Sequence, residues 1–472
     1  MRRPGRVLLM IAAVVALVGC QGKTTPATKV TDASATLNAT GRCDSGESCK
    51  WYWEYWRATQ PRSTSVKTPV SGPVNGPTGD VNLSINIAGL APNTTYRWVA
   101  CGSPNNGGGY GCAGPNGTVG STTADPPPDY GTFYTPASAT LAERWNGSTW
   151  AIQSTPNASG QKDNALGDVW CTSATACVAV GWSRDSMGHA STVAQGWNGT
   201  VWTAQAGGSS GELHAVSCTS ATACTGVGWD GALDVFIAQR WDGTTWTTTQ
   251  NSRPAGTQNV SLYGVSCTSP TACTAVGTYY QTNAGAFRTL AERWDGTSWT
   301  IQTTPNPGVH NELRGVLCTS ATACIAVGDA NRGDGTNGLV ERWDGTTWTV
   351  QATPNPTGSG QNRELDGVSC TSTTACTAVG NDFDGSTETF KTLAERWNGT
   401  AWTVQPTPGA GLLFDVSCGS ATACIAVGSF TERWDGTTWT TQTTPIPPSG
   451  HGTPSNGVSC TSPTACTAVG NQ

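Results

Sequence analysis

The sequence contains a two-part repeat that runs from Thr140 to the last residues of the chain. One part is a pair of tryptophans around a short polar stretch, as in Trp343–Trp348, and the other is a pair of cysteines separated by five residues, as in Cys318–Cys324. Each part occurs seven times, with tryptophan pairs beginning at Trp145, Trp197, Trp241, Trp294, Trp343, Trp397 and Trp434, and cysteine pairs at Cys171, Cys218, Cys267, Cys318, Cys370, Cys418 and Cys460. Such a repeat constrains the fold strongly, because one supersecondary unit is copied along the chain.

The repeat predicts a β-propeller. Successive first cysteines lie 42 to 52 residues apart, which fits a four-stranded blade of about 40–50 residues. Charged residues make up only 12% of the chain, and the abundant Thr, Trp, Gly and Ser favour short strands and turns over helices. Because the repeat region opens with a tryptophan hairpin, Thr140–Gln153, and closes with a cysteine hairpin, Val458–Gly470, the two ends complete one blade. We therefore expect an all-β, seven-bladed propeller over residues 137–472, closed by its N- and C-terminal strands.

The tryptophan hairpins carry a turn signal and resemble a known propeller motif. Asn-Gly or Asp-Gly follows the first tryptophan of every pair, which predicts a tight turn with positive φ angles. The hairpin is similar to the Asp-box of sialidase-type propellers, Ser-x-Asp-x-Gly-x-Thr-Trp. With Trp348 aligned, Gly345 and Thr347 match the box, but Trp343 occupies the position of the aspartate. The resemblance implies the fold and transfers no catalytic residue, and we expect the tryptophans to pack between blades.

The chain has nineteen cysteines, which points to an oxidising compartment. Five residues separate the thiols of each hairpin, more than the two to four that are usual between zinc ligands, and no histidine recurs beside them. We therefore predict one disulfide per hairpin, joining Cys171 to Cys177, Cys218 to Cys224, Cys267 to Cys273, Cys318 to Cys324, Cys370 to Cys376, Cys418 to Cys424 and Cys460 to Cys466. Two further disulfides are predicted to close local loops, between Cys43 and Cys49 and between Cys101 and Cys112.

The N-terminus has the pattern of a secretory signal. A basic start precedes the apolar run Val7–Val18, which is short for a transmembrane span. Leu17–Cys20 resembles a bacterial lipobox, which implies lipidation of Cys20 and a protein anchored outside the cytoplasm to the bacterial membrane. The alternative is an ordinary signal peptide with an incidental cysteine. Setting Cys20 aside leaves an even number of thiols for pairing.

Two segments separate the signal and lipobox, residues 1–20, from the propeller. Residues 21–33 are polar without an apolar period, so we expect a flexible tether. In residues 34–136, apolar positions alternate as in sandwich strands, and Leu90–Tyr96 resembles the segment leading into the tyrosine corner of fibronectin type III domains. That resemblance implies a fibronectin type III-like spacer or adhesion domain, with Tyr130–Thr135 as its last strand.

Sequence variation within the repeat indicates where binding should occur. Both repeated turns are nearly uniform and should lie at one end of the blades, whereas the variable connections should lie at the other, which we call the variable face. These connections are Trp182–Ser191, Thr278–Arg288, Asp329–Gly338 and Asn381–Lys391 within blades, and Pro305–Arg314, Pro354–Asp366 and Pro445–Asn456 between them. Loops on a rigid scaffold are where binding usually resides, so the variable face is the candidate site.

Individual residues of the variable face give weaker signals. Asp382, Asp384 and Glu388 have the oxygen-rich composition of a calcium loop but depart from the EF-hand pattern, and calcium is the one cofactor considered. Arg332–Asp334 spells an integrin-type tripeptide, which we interpret as coincidental. The four histidines share no metal-ligand spacing, and we interpret all of them as loop residues: His189, His214, His310 and His451.

The sequence favours a binding protein over an enzyme. A net charge of −6 without a basic stripe argues against nucleic-acid binding. The arginines that precede the tryptophans belong to the repeat and should face neighbouring blades or solvent, so they form no catalytic cluster. We therefore expect a surface-anchored binding or adhesion lipoprotein that presents the variable face to a cell-surface glycan or protein. The alternatives are an extracellular glycoside hydrolase or polysaccharide lyase, using a loop acid such as Asp334 or Asp382, and a purely structural envelope protein.

Overall fold

The computed structural model describes residues 21–28, 34–42, 48–57, 65–68, 71–75, 81–88, 90, 94–104, 111–113, 119–120, 131–135, 139–158, 161–331, 335–354, 362–384, 388–445 and 455–472. The chain divides into two compact units, an N-terminal one and a C-terminal one that includes Thr135–Gln472. The regular secondary structure of the described residues is all β. No helix among these residues has the length and hydropathy needed to cross a membrane.

The N-terminal unit consists of two antiparallel sheets. Its strands are β1 (Gln21–Thr28), β2 (Ser34–Arg42), β3 (Ser48–Arg57), β4 (Val66–Lys67), β5 (Ser71–Asn75), β6 (Val81–Ala88), β7 (Thr94–Pro104), β8 (Gly111–Ala113), β9 (Val119–Gly120) and β10 (Gly131–Thr135). One sheet has the order β1-β2-β6, and the other has the order β4-β3-β7-β8-β9, with β5 paired to β3 and β10 to β7. Leu37, Trp51, Trp53 and Trp98 are buried in the core between them.

The tether predicted for residues 21–33 is wrong over its first part. Gln21–Thr28 form β1, which pairs antiparallel with β2 from Gln21 opposite Arg42 to Thr28 opposite Thr36. The segment has no apolar alternation of its own, but its threonines are β-branched and suit an edge strand. Its neighbour β2 supplies the alternating core residues instead, which include Leu37.

Several sequence predictions for the N-terminal unit fall partly or wholly outside the described residues. Cys101 is disulfide-bonded and lies directly opposite Cys112 in the β7–β8 register, as expected for that pair. Cys20 and Cys43 lie outside the described residues, as does the side chain of Cys49. The side chain of Tyr96, on which the tyrosine-corner resemblance depends, is outside them as well.

The C-terminal unit is built from four-stranded antiparallel sheets, which we call blades. Its strands are β11 (Thr140–Trp145), β12 (Trp150–Gln153), β13 (Asp163–Ser173), β14 (Ala176–Arg184), β15 (Ala190–Trp197), β16 (Trp202–Ala204), β17 (Glu212–Ser220), β18 (Ala223–Asp230), β19 (Val235–Trp241), β20 (Trp246–Ser252), β21 (Thr257–Ser269), β22 (Ala272–Gln281), β23 (Ala286–Trp294), β24 (Trp299–Gln302), β25 (His310–Ser320), β26 (Ala323–Asn331), β27 (Thr336–Trp343), β28 (Trp348–Gln351), β29 (Asn362–Ser372), β30 (Ala375–Asp384), β31 (Thr389–Trp397), β32 (Trp402–Gln405), β33 (Leu413–Ser420), β34 (Ala423–Gly428), β35 (Thr431–Trp434), β36 (Trp439–Gln442), β37 (Ser455–Ser462) and β38 (Ala465–Asn471).

These described strands group into sets of four, as the repeat predicts. Blade 1 has the order β12-β11-β38-β37 and so combines the start and end of the repeat region, with Trp145 opposite Cys466. Blades 2 to 7 then follow in chain order as β13–β16, β17–β20, β21–β24, β25–β28, β29–β32 and β33–β36. Blades 5 and 6 are joined by one parallel bridge between Thr336 and Asn362. An all-β repeat of this kind fits a β-propeller.

The tryptophans and the repeated arginines have the packing roles expected of them. Trp343 and Trp348 are directly opposite one another with ring centroids 5.7 Å apart, and they pack on residues of the preceding blade, such as Val276. Arg293 of blade 4 lies 5.0 Å from the Trp343 ring centroid and donates a 2.7 Å hydrogen bond to the Ala321 carbonyl of blade 5. The same two contacts recur at Arg144, Arg240 and Arg396. These residues therefore stabilise the contacts between blades.

The seven hairpin disulfides are confirmed, and the repeated turns lie together. Each first cysteine is bonded to its partner six residues later. Gly345 of a tryptophan turn has a φ of 102°, and a Cβ placed there would be 3.0 Å from Thr322 of the cysteine turn. The glycine is needed at this position because an L-residue would be strained and would crowd the threonine. The equivalent approach recurs in all seven blades, so both turns occupy the end opposite the variable face.

Candidate functional site

The first strands of the seven blades surround a cavity of about 440 Å³. They are β13, β17, β21, β25, β29, β33 and β37, and each contributes lining residues. Neighbouring first strands are hydrogen-bonded from a cysteine amide to a serine hydroxyl in five places, as when the Cys267 amide donates to Ser217 Oγ at 3.0 Å. The equivalent bond from Cys171 to Ser459 Oγ, at 2.9 Å, connects the last of these strands to the first. The cavity is therefore lined by the first strand of every four-stranded set.

One position of each first strand projects into this cavity. It lies four residues before the first cysteine, and at that position every pairing with the second strand has a register shift, typical of a β-bulge. A bulge leaves one residue unpaired and can redirect its side chain. We call these bulged residues the channel ring: Gly167, His214, Tyr263, Arg314, Asp366, Phe414 and Asn456.

The channel ring is the least repetitive position of a highly repetitive strand. Two residues after the ring position, all seven blades have a buried valine. One residue before the ring position, six of the blades have a leucine, and each of these leucines is 0% exposed. The ring itself carries seven different residues, all partly exposed. The sequence does contain this signal, but as variation at one position inside a repeated strand, whereas the prediction of the binding face used variation in the connections between strands.

In blades 2 to 7, a glycine of the second strand makes the bulge sterically feasible. In blade 5 this residue is Gly328, and a Cβ on it would lie 2.0 Å from the backbone oxygen of Glu312. The equivalent glycines of blades 2, 3, 4, 6 and 7 would place a Cβ 1.9 to 2.2 Å from the corresponding oxygen. The repeated Ala-Val-Gly at the end of most cysteine hairpins is therefore required by the bulge that exposes the ring residue.

Arg314 is the centre of an ionic cluster on the ring. Its guanidinium lies 3.3 Å from Asp329, 3.4 Å from Glu312, 3.5 Å from Asp366 and 3.8 Å from Glu364, measured between nitrogen and oxygen atoms. Burial opposes its charge, but the four carboxylates together raise the pKa of Arg314 above its ordinary value. Burial also raises the pKa of Asp366 to about 7 and that of Asp329 to about 6, although Arg314 acts in the opposite direction on both.

His214 and Tyr263 form an adjoining aromatic group. Their rings are stacked with centroids 5.6 Å apart at 16°, and His214 Nδ1 lies 3.1 Å from the Leu262 carbonyl. His214 Nε2 is 3.7 Å from Glu212, which also forms an ion pair with Arg184. Burial raises the pKa of Glu212, but its hydrogen bonds and ion pairs outweigh burial, and the pKa is lowered overall. Together with the Arg314 cluster, these groups occupy consecutive blades 3 to 6.

Two further aspartates line the cavity. The Asp168 carboxylate accepts hydrogen bonds from its neighbour Val169 at 2.7 Å and from Val216 of the next blade at 2.8 Å. Asp415 does the same with Val416 and with Val458 of blade 1, at 2.8 Å each. Burial raises the pKa of Asp168 well above its usual range, and the charge of Asp415 raises it further. Burial likewise raises the pKa of Asp415, to about 6. Both residues thus link neighbouring first strands.

The structure corrects the interpretation of two histidines. His214 is within β17 and lines the cavity, and His310 is the first residue of β25, where it accepts a hydrogen bond from the Phe287 amide at 3.3 Å. His189 is a loop residue, and its Nδ1 is hydrogen-bonded to Asp185 Oδ2 at 3.0 Å. His451 lies outside the described residues. The sequence repeat could not identify His214, because no other blade has a histidine at the equivalent position.

The calcium candidates are only partly described. Asp382 Oδ1 lies 3.3 Å from Arg363 Nε, as an ion pair. Glu388 is exposed with a φ of 53°, and the side chain of Asp384 is outside the described part of the chain. Within that part, no group of three or more His, Cys, Asp or Glu side chains could hold a metal ion. Residues 332–334, which include Asp334, are also outside it.

Large exposed apolar side chains are concentrated in connections of the variable face. Of the nine in the described residues, Met187 (77% exposed), Val309 (55%) and Phe390 (45%) belong to these connections. Leu233 (58%) and Phe430 (45%) lie in the equivalent links between the second and third strands of blades 3 and 7. They come from several blades. Exposed apolar side chains at one end of a fold are candidate contacts for a partner.

Comparisons with known proteins do not identify a family. No protein-family model matches the chain, and none of the curated proteins does. Among solved structures, the chain is similar to the sensor domain of the anti-sigma factor RsgI4 from Pseudobacteroides cellulosolvens, at 20% identity, with a TM-score of 0.18 and coverage of 25% of this chain and 97% of the domain.

Two other solved structures align with a larger share of the chain. A protein from Lactobacillus plantarum is 7% identical, with a TM-score of 0.42 and coverage of 65% of this chain and 96% of its own. An ulvan lyase of polysaccharide lyase family 25 is 9% identical, with a TM-score of 0.40 and coverage of 62% and 86%. At these values the likenesses contribute nothing to assigning a function.

Proposed function

We propose that this chain is a binding protein that uses the variable face and the channel ring to hold a glycan or protein ligand. The observation that carries the proposal is the separation of repeated and non-repeated residues. Repeated residues form the strands, the disulfides and the packing between blades, whereas the ring and the variable connections differ from blade to blade. Since a scaffold needs only the repeated residues, the others are free to match an asymmetric ligand.

The proposal includes a closed seven-bladed propeller. Support comes from the pairing of β11 with β38 and from the hydrogen bond between Cys171 and Ser459, because both connect the start of the repeat region to its end. Closure completes the blade that the two ends of the repeat region share, and the radial arrangement leaves only short sheet edges. It also gives the face a rigid circular rim.

We further propose that the protein functions outside the cytoplasm, anchored by a lipid on Cys20 and spaced from the membrane by a fibronectin type III-like domain. The seven hairpin disulfides support an oxidising compartment. The two-sheet core of the N-terminal unit, which includes Trp53 and Trp98, is compatible with a sandwich domain of that type. Mass spectrometry of the N-terminal peptide from bacterial membranes would detect the diacylglyceryl modification.

An enzymatic function is the second candidate, and one observation favours it. Asp366 and Asp329 line or adjoin the cavity with pKa values raised to about 7 and 6, as a glycosidase requires of its general acid. Both carboxylates, however, are paired with the same guanidinium, that of Arg314. Turnover of an extracellular glycan that is abolished by Asp366→Asn would establish this function over simple binding.

The binding proposal can be tested with the full-length chain. Glycan arrays and cell-surface protein extracts would be probed with the wild type and with a Phe390→Ser/Phe430→Ser variant of the variable face. The control is Val201→Ser, because Val201 is 50% exposed in a tryptophan turn at the opposite end. We expect the double variant to lose binding and the control to retain it. Equal binding by all three proteins, or no ligand in either screen, would contradict the proposal.

A further inference from the structure

We propose that the channel ring is a sugar-binding site that takes one uncharged pyranose residue of a glycan. This inference rests on the proposed binding function and specifies the ligand class at the channel ring. Three properties of the site support it: the size of the cavity, the chemistry of the ring and the charges around it.

The cavity has a suitable size and access. Its volume of about 440 Å³ lies within the range of roughly 300–1,000 Å³ that is usual for small-ligand pockets. The ring residues are partly exposed, whereas the leucines and valines on either side of them are buried. The ring side chains therefore meet the contents of the cavity and do not form the hydrophobic core.

The ring combines the groups that recognise a pyranose. Arg314, Asp366 and Asn456 are planar polar side chains that can hydrogen-bond adjacent hydroxyls. Phe414 and Tyr263 supply aromatic surface for the apolar C–H face of a sugar ring. The seven different residues make the cavity asymmetric although the scaffold is cyclic. An asymmetric ligand with hydroxyls on its edge and an apolar face matches this set of side chains.

The charges around the ring disfavour acidic sugars. Seven carboxyl groups either line the cavity or contact a ring residue: Asp168, Glu212, Glu312, Asp329, Glu364, Asp366 and Asp415. The seven ring residues are all described, and Arg314 is the one arginine among them. Four of these carboxylates already surround its guanidinium. A uronate, sialate or sulfate group would thus enter a region of excess negative charge whose guanidinium is already paired.

The test compares neutral and anionic glycans on the full-length protein. A glycan array would present oligosaccharides of neutral hexoses and N-acetylhexosamines beside uronate-containing, sulfated and sialylated ones, and calorimetry would measure the affinities. The channel variants are Phe414→Ala and Tyr263→Leu, both of which remove the aromatic surface. Val201→Ser serves as the control, and Phe414→Leu keeps most of the side-chain volume if Phe414→Ala fails to fold. Melting temperatures would confirm that each variant is folded.

We expect the wild type to bind neutral glycans and not anionic ones, and the channel variants, Phe414→Leu included, to bind at least tenfold more weakly than the control. Preferential binding of anionic glycans, or neutral binding unchanged by both channel variants, would overturn the inference. If binding is lost only in the Phe390→Ser/Phe430→Ser variant, or if the ligand is a protein, the proposed function stands and the sugar site falls. If nothing binds, both fall.

Discussion

Glu341 provides a quantitative test of how the blades pack. The residue lies two positions before Trp343, is 0% exposed, and neither of its carboxyl oxygens has a hydrogen-bond partner among the described residues. Two blades carry glutamine at this position. Gln195 donates its amide to the Pro156 carbonyl of the preceding blade at 2.7 Å, and Gln239 donates to Ser209 Oγ at 2.7 Å. In these two blades the side chain therefore acts as a donor, which a glutamate provides only when it is protonated.

The change we consider is Glu341→Gln. Burial raises the pKa of Glu341 from 4.5 to about 8 in the folded protein. Between these values the folded state binds a proton that the unfolded state has lost, so stability is complete below about pH 4.5 and decreases as the pH rises towards 8. One pKa unit corresponds to about 1.4 kcal/mol. The loss from this group is thus roughly 3 kcal/mol at pH 7 and roughly 5 kcal/mol above pH 8, and glutamine avoids it.

Urea unfolding at pH 5, 7 and 9, with the disulfides kept oxidised, measures this effect. We expect Glu341→Gln to match the wild type near pH 5 and to exceed its free energy of unfolding by a growing margin at pH 7 and 9. The reverse change, Gln195→Glu, should introduce the same pH dependence in another blade. Exposed Glu388→Gln is the control. If the difference between Glu341→Gln and the wild type does not change with pH, Glu341 is not a buried neutral acid and the reasoning fails.

Three further predictions concern the scaffold. Gly328→Ala should lower the free energy of unfolding by at least about 2 kcal/mol, because its Cβ would overlap a backbone oxygen. Gly338→Ala should have a smaller effect, since its Cβ would come no closer than 3.3 Å to another atom; equal effects in urea unfolding would contradict the bulge argument. Replacing the Cys318–Cys324 disulfide by two serines should cost about 2 kcal/mol, because the loop it closes is short, and an unchanged denaturation midpoint would refute this. Asp344→Ala should lower the melting temperature, whereas Asp344→Asn should preserve it, because Asn198 accepts the equivalent backbone hydrogen bond in its own turn. Equal melting temperatures for the two variants would show that this hydrogen bond does not stabilise the turn.

The scaffold could be predicted from the sequence because its residues act locally and repeatedly. The cysteine pair, the Asn/Asp-Gly turn and the tryptophan pair each have a short-range physical role, and seven copies make the pattern unambiguous. The strand at residues 21–28 could not be predicted in the same way. Its pairing with β2 depends on a long-range partner, and the segment itself carries no apolar period.

The candidate site was predicted only as a face, since its centre depends on geometry that no single repeat reveals. His214 and Arg314 are distant in sequence and occupy equivalent positions of different blades, so only the packing of these blades brings them to one cavity. Their positions nevertheless follow from the glycine of the second strand. That glycine permits the bulge, and the bulge directs one residue of each blade away from the core. A side chain so placed makes no contribution to the leucine and valine packing beside it, and it can therefore differ in every blade without cost to the fold. In a repeat protein of this kind, the position that breaks the repeat inside a buried strand is where ligand recognition should be sought.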